Sequence, residues 1–261
     1  MPSRDVNTLK IKLLRPTSPL AILLLWACCG DSQTEGRTPP GSISFAPMEV
    51  ARLLYNENMG TSIASWGELG LGGSSLPETT VRYLAYGSRG NRTWVHSQES
   101  GGIEADQDTL AEMKEAYKAH FRAVKTNSPS AFISYETPNS FDRTTPDRNW
   151  EPREQTLRDA IDEIWIQEGI RVYLAEVNAV IEALEVYNVG GVTITKADVW
   201  YQIDDERGPY AHYTELGNFA IGAEMLYAMG FPVHTWTTAS ITDVTADHKT
   251  AALNVITQVP R

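Results

Sequence analysis

Leu20-Ala21-Ile22-Leu23-Leu24-Leu25-Trp26-Ala27 is apolar at every position, with no polar alternation. Such a run suits a strand buried on both faces of a parallel sheet. Ala46 to Asn58 reads as a helix closed near Gly60, and residues 61–66 read as a second strand. Gly70 to Ser75 is a glycine-rich turn, Pro77 to Tyr86 a helix, and Arg92 to Gln98 a third strand. Leu110, Met113, Tyr117, Phe121 and Val124 recur at helical spacing, and Thr109 with Glu112 forms a capping box at the start. Ala131 to Tyr135 is a fourth strand, and residues 137–151 are a long polar loop. Residues 153–187 read as mostly helical with a break near Gly169, and Gly191 opens a β segment towards Ile203. Thr214 caps a final helix through Met229, stopped by Gly230 and Pro232, while the tail from Val233 shows no clear period. Strands alternating with helices predict an α/β fold whose parallel sheet is covered on both faces. The expected division is an N-terminal tail (1–18), one domain (19–232) and a C-terminal extension (233–261).

Composition removes several function classes. The net charge of −11, with no basic stripe, argues against a nucleic-acid surface. The two cysteines, Cys28 and Cys29, are neighbours, so no disulfide framework is expected and both read as small core residues. No histidine pair has metal-ligand spacing, so no metal is expected. The N-terminus poses a fork. Basic residues, an apolar stretch and Leu25-Trp26-Ala27-Cys28 also resemble a secretory signal with a lipoprotein cleavage site. Cleavage before Cys28 would remove the first strand, so the two readings exclude each other. Trp26 suits a cleavage site poorly, and Asp5 and Pro16 suit a signal poorly, so the strand is preferred. The compartment stays open between cytoplasmic and secreted or periplasmic. No segment reaches the ~18–20 apolar residues of a membrane-spanning helix.

Chemistry enters at Gly30-Asp31-Ser32-Gln33-Thr34-Glu35-Gly36, directly after the first strand. This turn puts a serine hydroxyl where open α/β sheets bind ligands, with glycines that let the backbone turn sharply. Gly72-Gly73 follows the second strand and can offer bare backbone N–H groups to an oxyanion. Gln98 ends the third strand in a polar cluster and can donate its side-chain amide to the same charge. His212, just ahead of the final helix, is a candidate general base. The tryptophans at 66, 150, 165 and 200 can stack sugars, although core packing is the default for most of them, Trp150 in the polar loop being the best exception.

These residues resemble the SGNH (GDSL-like) hydrolase superfamily. The resemblance rests on the Ser32 turn, on Gly70-Leu71-Gly72-Gly73-Ser74-Ser75, and on His212-Tyr213-Thr214-Glu215-Leu216-Gly217, in the expected order over roughly residues 20–230. Glu35-Gly36-Arg37 and Gln98-Glu99-Ser100 lean towards the carbohydrate-esterase branch related to sialate O-acetylesterases. The resemblance implies a three-layer α/β/α sandwich with a mainly parallel, flavodoxin-like sheet, and ester hydrolysis without a cofactor. Ser32 would be the nucleophile and His212 the base. The backbone N–H groups of Ser32 and Gly73 (or Gly72), with the Gln98 amide, would form the oxyanion hole. Two positions depart from the pattern. The glycine expected between Gln98 and Glu99 is missing, and Pro209 stands where the superfamily has an Asp. Asp205 is then the expected orienter of His212, with Asp204 and Glu206 as alternatives. The expected function is a serine esterase removing O-acetyl groups from a glycan or small ester. Its rivals are a decayed carbohydrate-binding protein on the same fold and a lipid-anchored surface protein. Oligomeric state is not legible.

Overall fold

The structure, a computed structural model, describes residues 26–30, 46–63, 67–70, 76–87, 92–98, 109–138, 150–201 and 212–261. Five parallel strands form one sheet in the order β2-β1-β3-β4-β5: β1 (Trp26–Gly30), β2 (Gly67–Gly70), β3 (Trp94–Ser97), β4 (Phe132–Glu136) and β5 (Val172–Ala175). Side chains alternate across it. Trp26, Cys28, Trp94, Tyr173 and Ala175 join one apolar cluster, and Ala27, Cys29, Val95, Ile133, Tyr135, Val172 and Leu174 join the other. Four helices cover the first face: α1 (Pro47–Met59), α5 (Val177–Leu184), α7 (Glu215–Ala228) and α8 (Ala246–Gln258). Three cover the second: α2 (Leu76–Gly87), α3 (Leu110–Asn127) and α4 (Trp150–Glu168). The expected three-layer α/β/α sandwich with a parallel, flavodoxin-like sheet is what the structure shows.

Local sequence explains most of the elements. Gly60 ends α1 in the left-handed region at φ 62°, and the Thr109–Glu112 capping box starts α3. The apolar stripe of α3 begins at Met113, since Leu110 in its first turn is half exposed. β1 is described from Trp26 through Cys28 and Cys29 to Gly30, and the rest of the apolar run, residues 20–25, lies outside the described residues. Cys28 and Cys29 are both buried, as the composition predicts.

Three elements differ from expectation. The second strand is Gly67–Gly70, not 61–66. The backbone of Ile63 is already taken: its carbonyl accepts from Arg52 Nη1 (2.6 Å) and Asn56 Nδ2 (2.9 Å), and its N–H donates to Asn56 Oδ1. Those bonds finish α1 and leave nothing for a sheet ladder. Within 153–187, the expected helix is interrupted by β5, which pairs with β4 beyond the positive-φ Gly169. A short apolar run of this kind reads as helix or strand until a neighbouring strand selects it. The segment after Gly191 stays out of the main sheet. Gly190 and Gly191, at φ 65° and 85°, turn a hairpin between β6 (Asn188–Val189) and β7 (Val192–Thr193). The Thr195–Asp198 capping box then starts the short α6 (Lys196–Val199), and β8 (Trp200–Tyr201) pairs antiparallel with β9 (His212–Tyr213).

The C-terminal extension returns to the first face. Thr245 caps α8, whose Ala251, Ala252, Val255 and Ile256 pack into the cluster of α5 and α7. Arg261 then donates twice to the buried Glu224 of α7, at 2.7 Å each, and lies over the Tyr227 ring.

Candidate active site

The strand order changes direction between β1 and β3. β1 leads through α1 on one face to its outer neighbour β2, whereas β3 leads through α3 on the other face to β4. Connections diverging in this way leave a crevice outside the carboxyl ends of the two strands, where open α/β sheets bind ligands. Gly30, at the end of β1, stands two residues before Ser32. Gln98 directly follows β3. Its backbone N–H donates to the Cys29 carbonyl at 2.9 Å, and the residue is buried at the carboxyl end of β3.

His212 comes to the same edge by way of α7. The sequence places Thr214 as the cap, and its hydroxyl accepts from Gly217 N while bonding the carbonyls of Asp198 and Val199. Gly217 lies so close that a Cβ there would meet Val199 O at 2.6 Å and Tyr213 Cβ at 2.8 Å. The glycine of the His212–Gly217 block is therefore a packing requirement: it seats the helix start against the strand that carries His212. Further along, a Cβ on Gly222 would meet Pro47 O at 2.5 Å, and Phe231 packs on Tyr55 at 5.6 Å. α7 and α1 thus run side by side in the same sense, and Trp26 against Tyr55 (5.3 Å) sets α1 antiparallel to β1. Residues 215–221 then extend about 10 Å beyond the start of α1 at 1.5 Å per residue, on the carboxyl side of the sheet. His212, which leads that extension, is buried at 9% exposure.

Ser32, Gly72, Gly73 and Asp205, together with Asp204, Glu206 and Pro209, lie outside the described residues. Of the tryptophans, Trp200 is ruled out as a sugar platform, since it is 2% exposed and stacked on Tyr213 at 4.5 Å. Trp150 opens α4 instead of standing in a loop.

The sequence reading missed a set of buried polar groups beneath this edge. On the α1/α7 face, Trp94 Nε1 donates to Ser134 Oγ (2.7 Å), and Ser134 Oγ bonds His96 Nδ1 (2.8 Å). His96 Nε2 faces Glu136 Oε2 at 3.5 Å, and burial holds this imidazole neutral, its pKa down at about 3. Asn218 on α7 is 2% exposed, and its Nδ2 has no acceptor among the described residues. On the opposite face, Ser97 Oγ lies 2.7 Å from His120 Nε2, and His120 Nδ1 lies 2.9 Å from Thr80 Oγ1. This serine–imidazole pair is not a nucleophile and base: both residues are fully buried, and burial lowers the His120 pKa to about 4. Two polar breaks closing apolar strands, His96-Ser97-Gln98 and Glu136-Thr137-Pro138, are the signals in the sequence that point to these groups. Among the described residues no three His, Cys, Asp or Glu side chains are grouped to hold a metal. No described helix is long and apolar enough to cross a membrane.

The sequence matches no protein-family model and no curated protein. Solved structures do match. A GDSL-like lipase from Parabacteroides merdae superposes with a TM-score of 0.56 at 13% identity, over 79% of this chain and 95% of that one. Axe2, an acetylxylan esterase from Geobacillus stearothermophilus, gives 0.56 at 16% identity, over 79% and 94%. LAE5, an α/β hydrolase enzyme from the metagenome of Lake Arreo, gives 0.56 at 13% identity, over 78% and 94%. Strand order, helix placement and these superpositions agree: the chain has the fold of the SGNH (GDSL-like) hydrolases.

Proposed function

We propose that this protein is a serine esterase of the SGNH type that removes O-acetyl groups from a carbohydrate through an acyl-enzyme. What supports this reading is that the end of β1, Gln98 after β3 and His212 ahead of α7 all lie on the carboxyl side of one sheet. Chain connectivity keeps the Ser32 Cα within about 7 Å of that of Gly30. The carbohydrate substrate draws on Axe2, described as an acetylxylan esterase, of which a serine-to-alanine form is described as a catalytic mutant.

In this mechanism Ser32 Oγ attacks the ester carbonyl carbon while His212 takes the hydroxyl proton. The backbone N–H groups of Ser32 and Gly73 (or Gly72), with the Gln98 amide, hold the oxyanion. Collapse of the tetrahedral intermediate breaks the ester C–O bond, and the leaving sugar oxygen takes the proton from His212. Water, deprotonated by His212, then attacks the acyl-serine; the Ser32 Oγ–C bond breaks, Oγ takes the proton back from His212, and acetate is released. Asp205 orients the imidazole from upstream.

The test is acetate release from a panel of acetylated sugars by wild type and Ser32→Ala. Release that vanishes in the variant supports the assignment, and an unchanged rate in Ser32→Ala overturns it. Pro209, in place of the expected acid, motivates a second reading as a carbohydrate-binding protein with a decayed site. Binding of an acetylated glycan with no release by wild type would favour that reading.

A further inference from the structure

The hydrogen bonds around His120 assign every proton in a chain that ends at the crevice. Thr80 Oγ1 donates to the Leu76 carbonyl at 2.8 Å, so towards His120 it can only accept. His120 therefore carries its proton on Nδ1, and its bare Nε2 accepts from Ser97 Oγ–H at 2.7 Å. Thr80 sits on α2, His120 on α3, Ser97 on β3 and Cys29 on β1, where Cys29 and Ser97 are paired partners in the sheet. The next residues along the two strands are Gly30, at the end of β1, and Gln98, whose N–H closes on Cys29 O. All four residues except Thr80 are fully buried, and Thr80 is half-buried.

We propose that His120 is a positioning residue. Through Ser97, its hydrogen bonds to α2 and β3 hold the carboxyl end of β3 against β1 in the register at which the Ser32 turn and Gln98 serve one oxyanion. The proposal rests on the esterase reading above and adds to it a control point on α2, two helices away from the chemistry. A chain with a defined direction has a distinctive weakness. Removing the terminal acceptor frees His120 to move its proton to Nε2. Ser97 must then accept from His120, and its own hydroxyl proton loses the imidazole acceptor.

Thr80→Val, an isosteric change on α2, makes that removal without touching the crevice, and Thr80→Ser restores the hydroxyl. The experiment compares wild type, Thr80→Val, Thr80→Ser, Ser97→Ala and Ser32→Ala, using 4-nitrophenyl acetate hydrolysis and amide hydrogen exchange at Gln98. The expected result is a kcat about tenfold lower in Thr80→Val and Ser97→Ala, with KM within about twofold, since small misplacements of reacting groups cost rate before binding. Thr80→Ser should recover most of it, and Gln98 exchange should quicken in the two slow variants while Leu174 in β5 stays as in wild type. Wild-type kcat in a folded Thr80→Val and a folded Ser97→Ala overturns the proposal, even when Ser32→Ala is inactive and the esterase reading stands. Should wild type hydrolyse no ester, that reading falls and Gln98 exchange decides this one: unchanged exchange in both variants overturns it.

Discussion

Gln98 shows what a single residue contributes at this edge. Its backbone bond to Cys29 O ties β3 to β1, and its side chain, buried, is the oxyanion donor of the proposed mechanism. Truncation to alanine keeps the backbone bond and removes only the amide. Gln98→Ala is expected to lower kcat by about a hundredfold with little change in KM, the usual cost of losing one oxyanion donor. A kcat within twofold of wild type in steady-state assays would remove Gln98 from the oxyanion hole. The residue was legible because it closes an apolar strand with a polar amide. Its neighbour Ser97 was not, because its meaning depends on His120, which is distant in sequence and on another element.

Among elements, α7 is the one whose start positions the proposed base. Its cap, its length and its stop were all legible from Thr214, the apolar run and Gly230. The two glycines inside it were not, because their reason lies in what packs against them. Helix propensity alone says that Gly217→Ala should stabilise α7 by about 1 kcal/mol. The 2.6 Å approach to Val199 O says the reverse: about 1–3 kcal/mol lost to overpacking, and a displaced His212. Urea unfolding of Gly217→Ala decides the sign, and a kcat lowered roughly tenfold or more would trace the displacement to the base. β5 illustrates the opposite failure. Val172 to Ala175 is strand only because β4 offers its edge, a partner that no local pattern reveals.

At the scale of the molecule, two imidazoles are locked neutral on opposite faces of β3, His96 with a pKa of about 3 and His120 of about 4, both through burial. In the unfolded chain they titrate near 6.5. Between those values the unfolded state holds more protons, so stability present above pH ~6.5 is lost as the pH falls. Each histidine contributes up to about 1.4 kcal/mol per pH unit, His120 down to about pH 4 and His96 further. Urea midpoints at pH 7.0, 5.5 and 4.5 should fall steadily, and His120→Gln should flatten the decline by about half. A flat wild-type profile would show that these imidazoles are hydrated in solution.

The division between what the chain states and what the fold decides follows from range. Hydrophobic period, capping boxes and turn glycines act within a few residues, so the α/β class, α1, α3, α7 and the buried Cys28-Cys29 pair were determined by sequence alone. The candidate residues Gln98 and His212 were legible as types in an order. Their shared edge, the strand order that opens the crevice, and the bonds of His96 and His120 arise from residues distant in sequence becoming neighbours. A hydrogen bond depends on ångström-scale geometry across elements, and only the packed tertiary structure supplies it.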